Sequence, residues 1–262
     1  MRPIMFMLVA AFALTGPSAA PAAPPPDARP TIILVHGAFA DSSSWNAVIT
    51  DLARDGYPVI AAAVPLRSLA GDAAYVRSLA ASIAGPVVLV GHSYGGSVIS
   101  VAAAEQTNVK ALVFVAGFAP EIGESPASLG ARFPTGSLGE NLAPPVLLAD
   151  GSADLYILQA RYWKQFAADV PEGQALEMAA TQRPIAQSAL SEPAAALAWR
   201  KIPSWFVWGE LDRNIPAALH SFMARRADAR DAIQVSGGSH VVMISHPDAV
   251  SAIIRRAAGA AR

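Results

Sequence analysis

The sequence contains no cysteine among its 262 residues, and this absence excludes several kinds of chemistry. The chain can form no disulfide bond, offers no thiol nucleophile and has no thiolate ligand for a metal. Charged side chains are also scarce, at 15% of residues with a formal net charge of -1 and no basic run. We therefore expect no nucleic acid partner. The remaining composition, 53% hydrophobic, suits one large α/β domain with a substantial core.

The N-terminal stretch has the features of an export signal. A single arginine precedes an apolar run over residues 4–14, and small residues and prolines follow. This order is typical of a secretory signal peptide, here 1–22, followed by a stiff proline-rich linker over 23–30. An A-x-A site favours cleavage after Ala22, and Ala20 offers a second site. Because the apolar run is too short to span a bilayer comfortably, we expect a periplasmic or secreted protein without a stable membrane anchor.

After the linker, short apolar runs alternate with stretches of helical spacing. This alternation predicts an α/β fold with a mostly parallel sheet and helices on both faces. The predicted strands are 31–35, 58–64, 86–90, 109–116, 204–208 and 232–235, and the predicted helices centre on 45–52, 76–83, 97–104, 215–226 and 246–258. We assign 31–262 to a single domain.

The alternation stops between about residues 118 and 202. No clean strand is recognisable there, and a Gly/Pro-rich stretch is followed by helical patterns over 155–168, 174–180 and 193–200. An insertion at this point, before the last two strands, lies above the carboxyl ends of the earlier strands. We therefore predict a mainly helical cap over the functional site.

The stretch Gly91-His92-Ser93-Tyr94-Gly95-Gly96 carries the clearest functional signal. It follows an apolar strand directly and leads into a helical run, which is the arrangement of a G-x-S-x-G nucleophile elbow. A serine on such a strained turn projects its hydroxyl above the sheet, and the flanking glycines leave room for the backbone. The alternative, a chance occurrence of the motif, does not account for the strand before it and the helix after it. We predict that Ser93 is the nucleophile.

A serine hydroxyl is a weak nucleophile and needs a base within hydrogen-bonding reach. Five histidines are available, and His240 is the strongest candidate. It follows a predicted strand in the loop Gly237-Gly238-Ser239-His240, which is suited to an exposed polar side chain.

The other histidines are expected to have different roles. His92 lies inside the elbow, where its side chain should point away from the Ser93 hydroxyl. We interpret His36 as a residue that braces the loop after the first strand. His220 and His246 lie on or near predicted helices, and we expect both to be exposed.

The third catalytic group should be an acid on a loop at the end of a neighbouring strand. Asp212 occupies such a loop, and the order Ser93, Asp212, His240 is the one expected with a nucleophile elbow. The alternative role for Asp212 is that of a turn or N-cap residue before the next helix. Glu210 is its nearest rival and Glu121 a further one.

An oxyanion hole requires two preorganised hydrogen-bond donors. The backbone N–H of Tyr94, at the start of the helix after the elbow, is the first candidate. Gly37 lets the chain turn after the first strand, so the N–H of Ala38 is predicted to point inward as the second. The alternative for His36-Gly37 is an ordinary strand-to-helix turn.

The segments Val35 to Ala38, Gly91 to Gly96, Gly209 to Asp212 and Gly237 to His240 together resemble the α/β-hydrolase superfamily. The resemblance covers nearly everything after residue 30 apart from the cap. Within the superfamily, the chain is similar to a branch that holds small methylesterases, hydroxynitrile lyases and many bacterial carboxylesterases.

Two departures from that branch narrow what the resemblance implies. Its lyases carry a threonine near the first-strand turn and a lysine directly after the catalytic histidine, whereas this chain has His36-Gly37-Ala38 at the turn and Val241 after His240. Without that ammonium group, a leaving cyanide has no obvious stabiliser. Dehalogenases of the superfamily use an aspartate nucleophile, which Ser93 excludes.

The resemblance implies a serine esterase for a small or medium, mainly uncharged carboxylic ester or lactone, with no metal or cofactor. The alternatives are a ligand-binding protein on the same fold, or a hydroxynitrile-lyase-like or amidase activity at the same triad. The expected partner is a small-molecule ester. Aromatic candidates for the pocket wall, each of which could equally pack in the core, are Phe39, Tyr94, Phe118, Tyr156, Trp163 and Phe166.

Overall fold

The computed structural model describes residues 29–133 and 135–261. The predicted signal peptide, 1–22, and residues 23–28 of the predicted linker lie outside this part of the chain. Among the described residues, no helix is long and apolar enough to cross a membrane.

The central sheet is built from short apolar strands, and its four inner strands are almost entirely buried, as expected where helices cover both faces. The two strands at its edges are partly exposed. The strands, in chain order, are β1 (Thr31–Val35), β2 (Val59–Ala62), β3 (Val87–His92), β4 (Val109–Val115), β5 (Val146–Leu147), β6 (Ala153–Leu155), β7 (Ile185–Ala186), β8 (Ser204–Gly209) and β9 (Asp231–Val235). The central sheet has the order β2-β1-β3-β4-β8-β9, and each neighbouring pair is parallel. The predicted α/β-hydrolase fold is confirmed.

The helices form separate layers around this sheet. In chain order they are α1 (Asn46–Arg54), α2 (Leu69–Ala81), α3 (Tyr94–Ala102), α4 (Pro126–Ala131), α5 (Gln159–Phe166), α6 (Glu172–Thr181), α7 (Gln187–Ser191), α8 (Ala217–Arg226), α9 (Val242–Ser245) and α10 (Pro247–Ala260). Helix α2 packs against α3, whereas α1 packs against α10, which also contacts β4 and β8.

The segment between β4 and β8, which we call the cap, contains α4 to α7 and also a small sheet. This sheet joins β5, β6 and β7 in antiparallel pairs, so the expectation that no strand occurs in the cap is wrong. Strands of two or three residues are too short to leave a period-2 pattern in the sequence. The helix predicted over 155–168 accordingly begins only at Gln159, after β6.

The helix predicted over 193–200 does not form. Helix α7 ends at Ser191, and Glu192 leaves the helical conformation, with φ -67° and ψ 123°. Proline disfavours helical geometry in the residue before it, so Pro193 accounts for the end of the helix. The freed Glu192 carboxylate instead accepts hydrogen bonds from the N–H groups of Leu69 and Ala70, at 2.6 and 3.0 Å.

A close contact of α3 fixes the main chain around Ser93. A Cβ atom at Gly96 would collide with the carbonyl oxygen of Phe118. Phe118 in turn donates its N–H to the Ser93 carbonyl at 3.0 Å. The absence of a side chain at Gly96 therefore lets the start of α3 lie directly against the chain that follows β4.

We expect Gly96→Ala to lower the free energy of unfolding by about 2 kcal/mol or more, because the added methyl must displace backbone atoms. Gly173→Ala in α6 is the matched control, since a Cβ atom there meets nothing within 4 Å. The control should raise the free energy of unfolding by up to about 1 kcal/mol through helix propensity. Urea unfolding measures both, and equal effects would contradict the packing argument.

Candidate active site

Ser93 lies between β3 and α3 in a strained backbone conformation, with φ 53° and ψ -122°. Hydrogen bonds hold the peptide groups on both of its sides. Its N–H donates to the carbonyl of Ala116 at 3.1 Å, and its carbonyl accepts from Gly96 and Phe118, each at 3.0 Å. A non-glycine residue in this region of φ/ψ persists only where its surroundings enforce it. The elbow geometry predicted from the sequence is therefore present.

His240 and Asp212 form a buried hydrogen-bonded pair. His240 donates its Nδ1–H to Oδ2 of Asp212 at 2.7 Å, and neither side chain is exposed. The other carboxylate oxygen, Oδ1, accepts from the N–H groups of Asn214 and Ile215 at 2.8 and 3.0 Å. The two roles considered for Asp212 thus coexist, since one oxygen organises the turn before α8 and the other orients His240.

The charge of Asp212 survives its burial because of these donors. Burial would raise the pKa of Asp212, but the His240 imidazole and the hydrogen bonds from His220 and His240 hold it below the usual 3.8. A charged Asp212 keeps the His240 proton on Nδ1, which leaves Nε2 free to accept a proton.

His240 lies beside the elbow. Its ring is 4.8 Å from that of His92, which adjoins Ser93, and 5.0 Å from that of Phe166, which lines the same cavity as Ser93. Nε2 of His240 makes no hydrogen bond with any residue that the structure describes, Ser93 included. Hydrogen bonds of this kind are often long in the absence of substrate.

His220 is the functional-site residue that the sequence reasoning missed, and the expectation that it is exposed is wrong. Its side chain is fully buried, donates Nε2–H to Oδ2 of Asp212 at 3.1 Å and stacks on Trp208. Burial lowers the pKa of His220, so it remains a neutral donor. The available signal was helical spacing, because His220 shares a buried stripe with Met223 and Ala224.

His92 and His36 brace the loops around the site. His92 donates Nε2–H to the backbone carbonyl of His240 at 3.1 Å, and this hydrogen bond helps to fix the His240 loop. Burial, and then the neighbouring His240, lower the pKa of His92 well below its usual range. His36 donates Nδ1–H to the carbonyl of Gly37 at 2.9 Å and thereby fixes the turn after β1.

The two rival acids are used elsewhere. Glu210 accepts hydrogen bonds from the Ser236 hydroxyl at 2.8 Å and the Gly237 N–H at 3.0 Å, so it supports the His240 loop from its exposed side. Glu121 forms a surface ion pair with Arg200. Neither carboxylate contacts an imidazole.

The two candidate oxyanion donors flank Ser93. Tyr94 is the first residue of α3, where a backbone N–H has no acceptor within the helix. The turn that carries Ala38 lies against the nucleophile, since a Cβ atom at Gly37 would be only 2.6 Å from Cβ of Ser93. Neither N–H donates a hydrogen bond to another atom of the described residues. Both therefore remain available to a ligand.

Ser93 opens into a cavity of about 200 Å³ with apolar walls. The cavity contains no charged side chain among the described residues that line it. Three predicted wall residues line it: Phe39, Phe118 and Phe166. The cap contributes further wall residues that the sequence reasoning missed because they lie in its Gly/Pro-rich stretch or on short helices: Pro126, Ala127, Phe133, Leu138 and Leu190.

The other aromatic candidates lie elsewhere, and the expectation that they line this cavity is not met. Trp163 donates its indole N–H to the carbonyl of Val170 at 3.0 Å and packs within the cap. Tyr156 belongs to the backbone-paired segment after β6 and does not reach the cavity. The Tyr94 side chain is buried beside α2, where its hydroxyl donates to Asp72 at 2.8 Å.

Comparison with known proteins agrees with this architecture. The family model for the alpha/beta hydrolase family matches residues 32–253. The alpha/beta hydrolase nvfD of Aspergillus novofumigatus is 27% identical over 256 residues, which cover 89% of this chain and 98% of that protein. A probable hydrolase R7 of a Phoma species is 32% identical over 112 residues, or 37% of this chain and 46% of that protein.

Solved structures with different reactions share the fold. A pyrethroid hydrolase from Sphingobium faniae superposes with a TM-score of 0.70 at 20% identity, covering 88% of this chain and 97% of its own. Polyneuridine aldehyde esterase gives a TM-score of 0.75 at 14% identity, and the match covers 87% of this chain and 98% of that one. Tomato methylketone synthase I, complexed with 2-tridecanone, gives a TM-score of 0.74 at 16% identity, and the match covers 89% of this chain and 99% of that one.

The low pKa of Asp212 predicts how the free energy of unfolding depends on pH. A carboxylate whose pKa is lower in the folded than in the unfolded state stabilises the protein above its unfolded pKa, and this contribution is lost as the pH falls toward the folded pKa. The stability advantage of the wild type over Asp212→Asn should therefore begin to shrink as the pH falls from about 5 to 3, and it should go on shrinking at lower pH. Urea unfolding of both proteins across this range tests it, and a difference independent of pH would contradict it.

Proposed function

The chain belongs to the alpha/beta hydrolase family, and from that premise we propose that it is a serine hydrolase of small to medium, mainly uncharged carboxylic esters or lactones. The observation that carries the proposal is the strained Ser93 on its elbow, beside a His240 imidazole whose Nδ1–H is bound by the buried Asp212 carboxylate. A charged acid, an oriented base and a hydroxyl that opens into a cavity are the parts that acyl transfer requires.

The proposed first step forms an acyl-enzyme. Oγ of Ser93 attacks the carbonyl carbon of the ester, the π electrons move to the carbonyl oxygen, and the Oγ proton passes to Nε2 of His240. The backbone N–H groups of Tyr94 and Ala38 hold the resulting oxyanion. The tetrahedral intermediate then collapses, the bond to the alcohol oxygen breaks, and that oxygen takes the proton from His240.

The second step is hydrolysis of the acyl-enzyme. Water attacks the acyl carbon while His240 accepts its proton, and the intermediate releases Ser93 Oγ, which recovers a proton from His240. Asp212 stabilises the imidazolium formed in each half-reaction. His220 helps to keep that carboxylate charged, because it donates a second hydrogen bond to the same oxygen, Oδ2.

The cavity supports an uncharged substrate. A charged group would lose its hydration on entering walls that offer it no oppositely charged partner among the described residues, which is strongly unfavourable. The cavity volume of about 200 Å³ lies below the range of about 300–1,000 Å³ common for ligand pockets, which favours a short acyl or alkoxy group. The names of two relatives in the fold, a pyrethroid hydrolase and an aldehyde esterase, also favour hydrolysis over ligand capture.

Ser93→Ala tests the nucleophile, with p-nitrophenyl acetate as substrate. We expect kcat to fall by at least about a thousandfold, because only transition-state stabilisation without a covalent step remains. Ser97→Ala is the matched control, since Ser97 lies one turn further along α3, is fully buried and is absent from the cavity wall. The control should retain wild-type kcat.

Two results would reject the proposal. Equal turnover in wild type and Ser93→Ala would mean that Ser93 is not the nucleophile. The absence of turnover across an ester series from acetate to long acyl chains, in a folded wild type that still binds these esters, would favour ligand capture.

Leu190→Ala tests the assignment of the cavity as the acyl or alkoxy site. Removing a wall side chain should raise kcat/KM for the octanoate ester relative to the acetate about tenfold, because the longer chain gains room and apolar contact. Leu176→Ala is the control, since Leu176 is 68% exposed on α6. An unchanged preference in Leu190→Ala would place the substrate chain elsewhere.

A further inference from the structure

Phe39 follows a candidate oxyanion donor directly and has a backbone conformation that is unfavourable for its residue type. Its φ is 60°, in the left-handed region, where a bulky aromatic residue is rarely found. The preceding residue is Ala38, and both residues line the cavity with Ser93. Since such a conformation persists only where neighbours enforce it, the contacts of the Phe39 peptide groups matter for the site.

Both polar backbone atoms of Phe39 are held by the cap. Its N–H donates to the carbonyl of Arg183 at 2.9 Å, and its carbonyl accepts the hydroxyl hydrogen of Tyr162 at 2.8 Å. Tyr162 lies on α5, and Arg183 follows α6. The constraint therefore acts between segments that are more than a hundred residues apart in the chain.

The Tyr162 side chain is itself fixed by its surroundings. It is fully buried, and its ring lies 4.9 Å from that of Phe166, which makes edge contacts with Phe39 and His240. Burial, followed by the nearby Asp41 charge, raises the pKa of Tyr162, so the hydroxyl keeps its proton. A carbonyl can only accept, so this proton belongs to the bond with Phe39.

We propose that Tyr162 is a positioning residue that holds the turn from His36 to Ala40 in the strained conformation in which the Ala38 N–H faces the substrate carbonyl oxygen. This inference rests on the proposed serine-hydrolase function. Without the Tyr162 hydroxyl, one of the two bonds that enforce the left-handed Phe39 is lost. The turn is anchored by β1 on one side and by the Asp41-capped 3-10 turn (Ser42–Trp45) on the other, so any relaxation at Phe39 is passed to Ala38.

The cap then does more than cover the cavity, because half of the oxyanion hole depends on its docking. The predicted effect is confined to the transition state. A planar ester places little charge on its carbonyl oxygen, whereas the tetrahedral intermediate places a full charge there. Displacing the donor therefore destabilises the tetrahedral intermediate far more than the bound ester.

Tyr162→Phe removes the hydroxyl and keeps the ring that packs on Phe166. With p-nitrophenyl acetate, we expect kcat to fall about tenfold and KM to stay within about twofold, since the donor is displaced rather than deleted. Tyr75→Phe is the matched control, because Tyr75 is 43% exposed on α2 and makes no hydrogen bond with the described residues through its hydroxyl. Its kcat should equal that of the wild type.

An inhibitor pair supplies a readout that a general loss of structure would not reproduce. A trifluoromethyl ketone accepts Oγ of Ser93 at its carbonyl carbon, the Oγ proton goes to His240, and the resulting oxyanion occupies the hole. Its inhibition constant should rise in Tyr162→Phe by the same factor as kcat/KM falls. The corresponding secondary alcohol forms no such adduct and should bind both proteins equally.

The outcomes separate this inference from the proposed function. If Ser93→Ala is inactive and Tyr162→Phe retains wild-type kcat, the positioning role is rejected and the serine hydrolase stands. Equal weakening of ketone and alcohol, or unfolding of Tyr162→Phe at the assay temperature, would make the hydroxyl a structural requirement and overturn the inference. Undiminished turnover in Ser93→Ala would reject the proposed function itself.

Discussion

The carboxylate of Asp212 is the group on which the geometry of the site depends. A buried negative charge is tolerated only when it is fully hydrogen-bonded, and Asp212 receives four hydrogen bonds within 3.1 Å. Two come from the turn that starts α8, one from His220 on α8 and one from His240. Since a single charge ties the end of β8, the next helix and the His240 loop together, the position of the base is a property of the whole carboxyl-terminal half of the fold.

The sequence reasoning succeeded where local signals coincide with local structure. The run of apolar residues in β3, the glycines of the elbow and the helix after it predict the conformation observed at Ser93. Asp212 and His240 were also within reach, because each follows a strand and the chain order is diagnostic. His220 offered only its helical spacing with Met223 and Ala224, which indicates burial but not a role, since its contact with Asp212 results from the packing of α8 on β8 and no short motif encodes it.

The same distinction applies to the cap. The break in the alternation of strands and helices predicts where the cap is inserted, between β4 and β8. It does not predict which helices and strands the cap contains. Strand β6 pairs with β7 across about thirty residues of chain, and β5 and β6 are too short to leave a pattern in the sequence. Helix α7 ends before Pro193 rather than beginning there. The cavity wall therefore combines predictable residues such as Phe118 with residues such as Leu190, which only the folded cap brings beside Ser93.

The contact of Glu192 with α2 has a consequence for recombination between relatives. Together with the Ser68 hydroxyl, which accepts from Gly71, the Glu192 carboxylate satisfies the first three N–H groups of that helix, and its charge complements the positive end of the helix dipole. A chimera that exchanges the segment between β4 and β8 would thus remove the carboxylate that accepts hydrogen bonds from the N-terminus of α2, along with the cavity wall. Donor segments with a carboxylate at the equivalent of position 192 are the ones compatible with this scaffold.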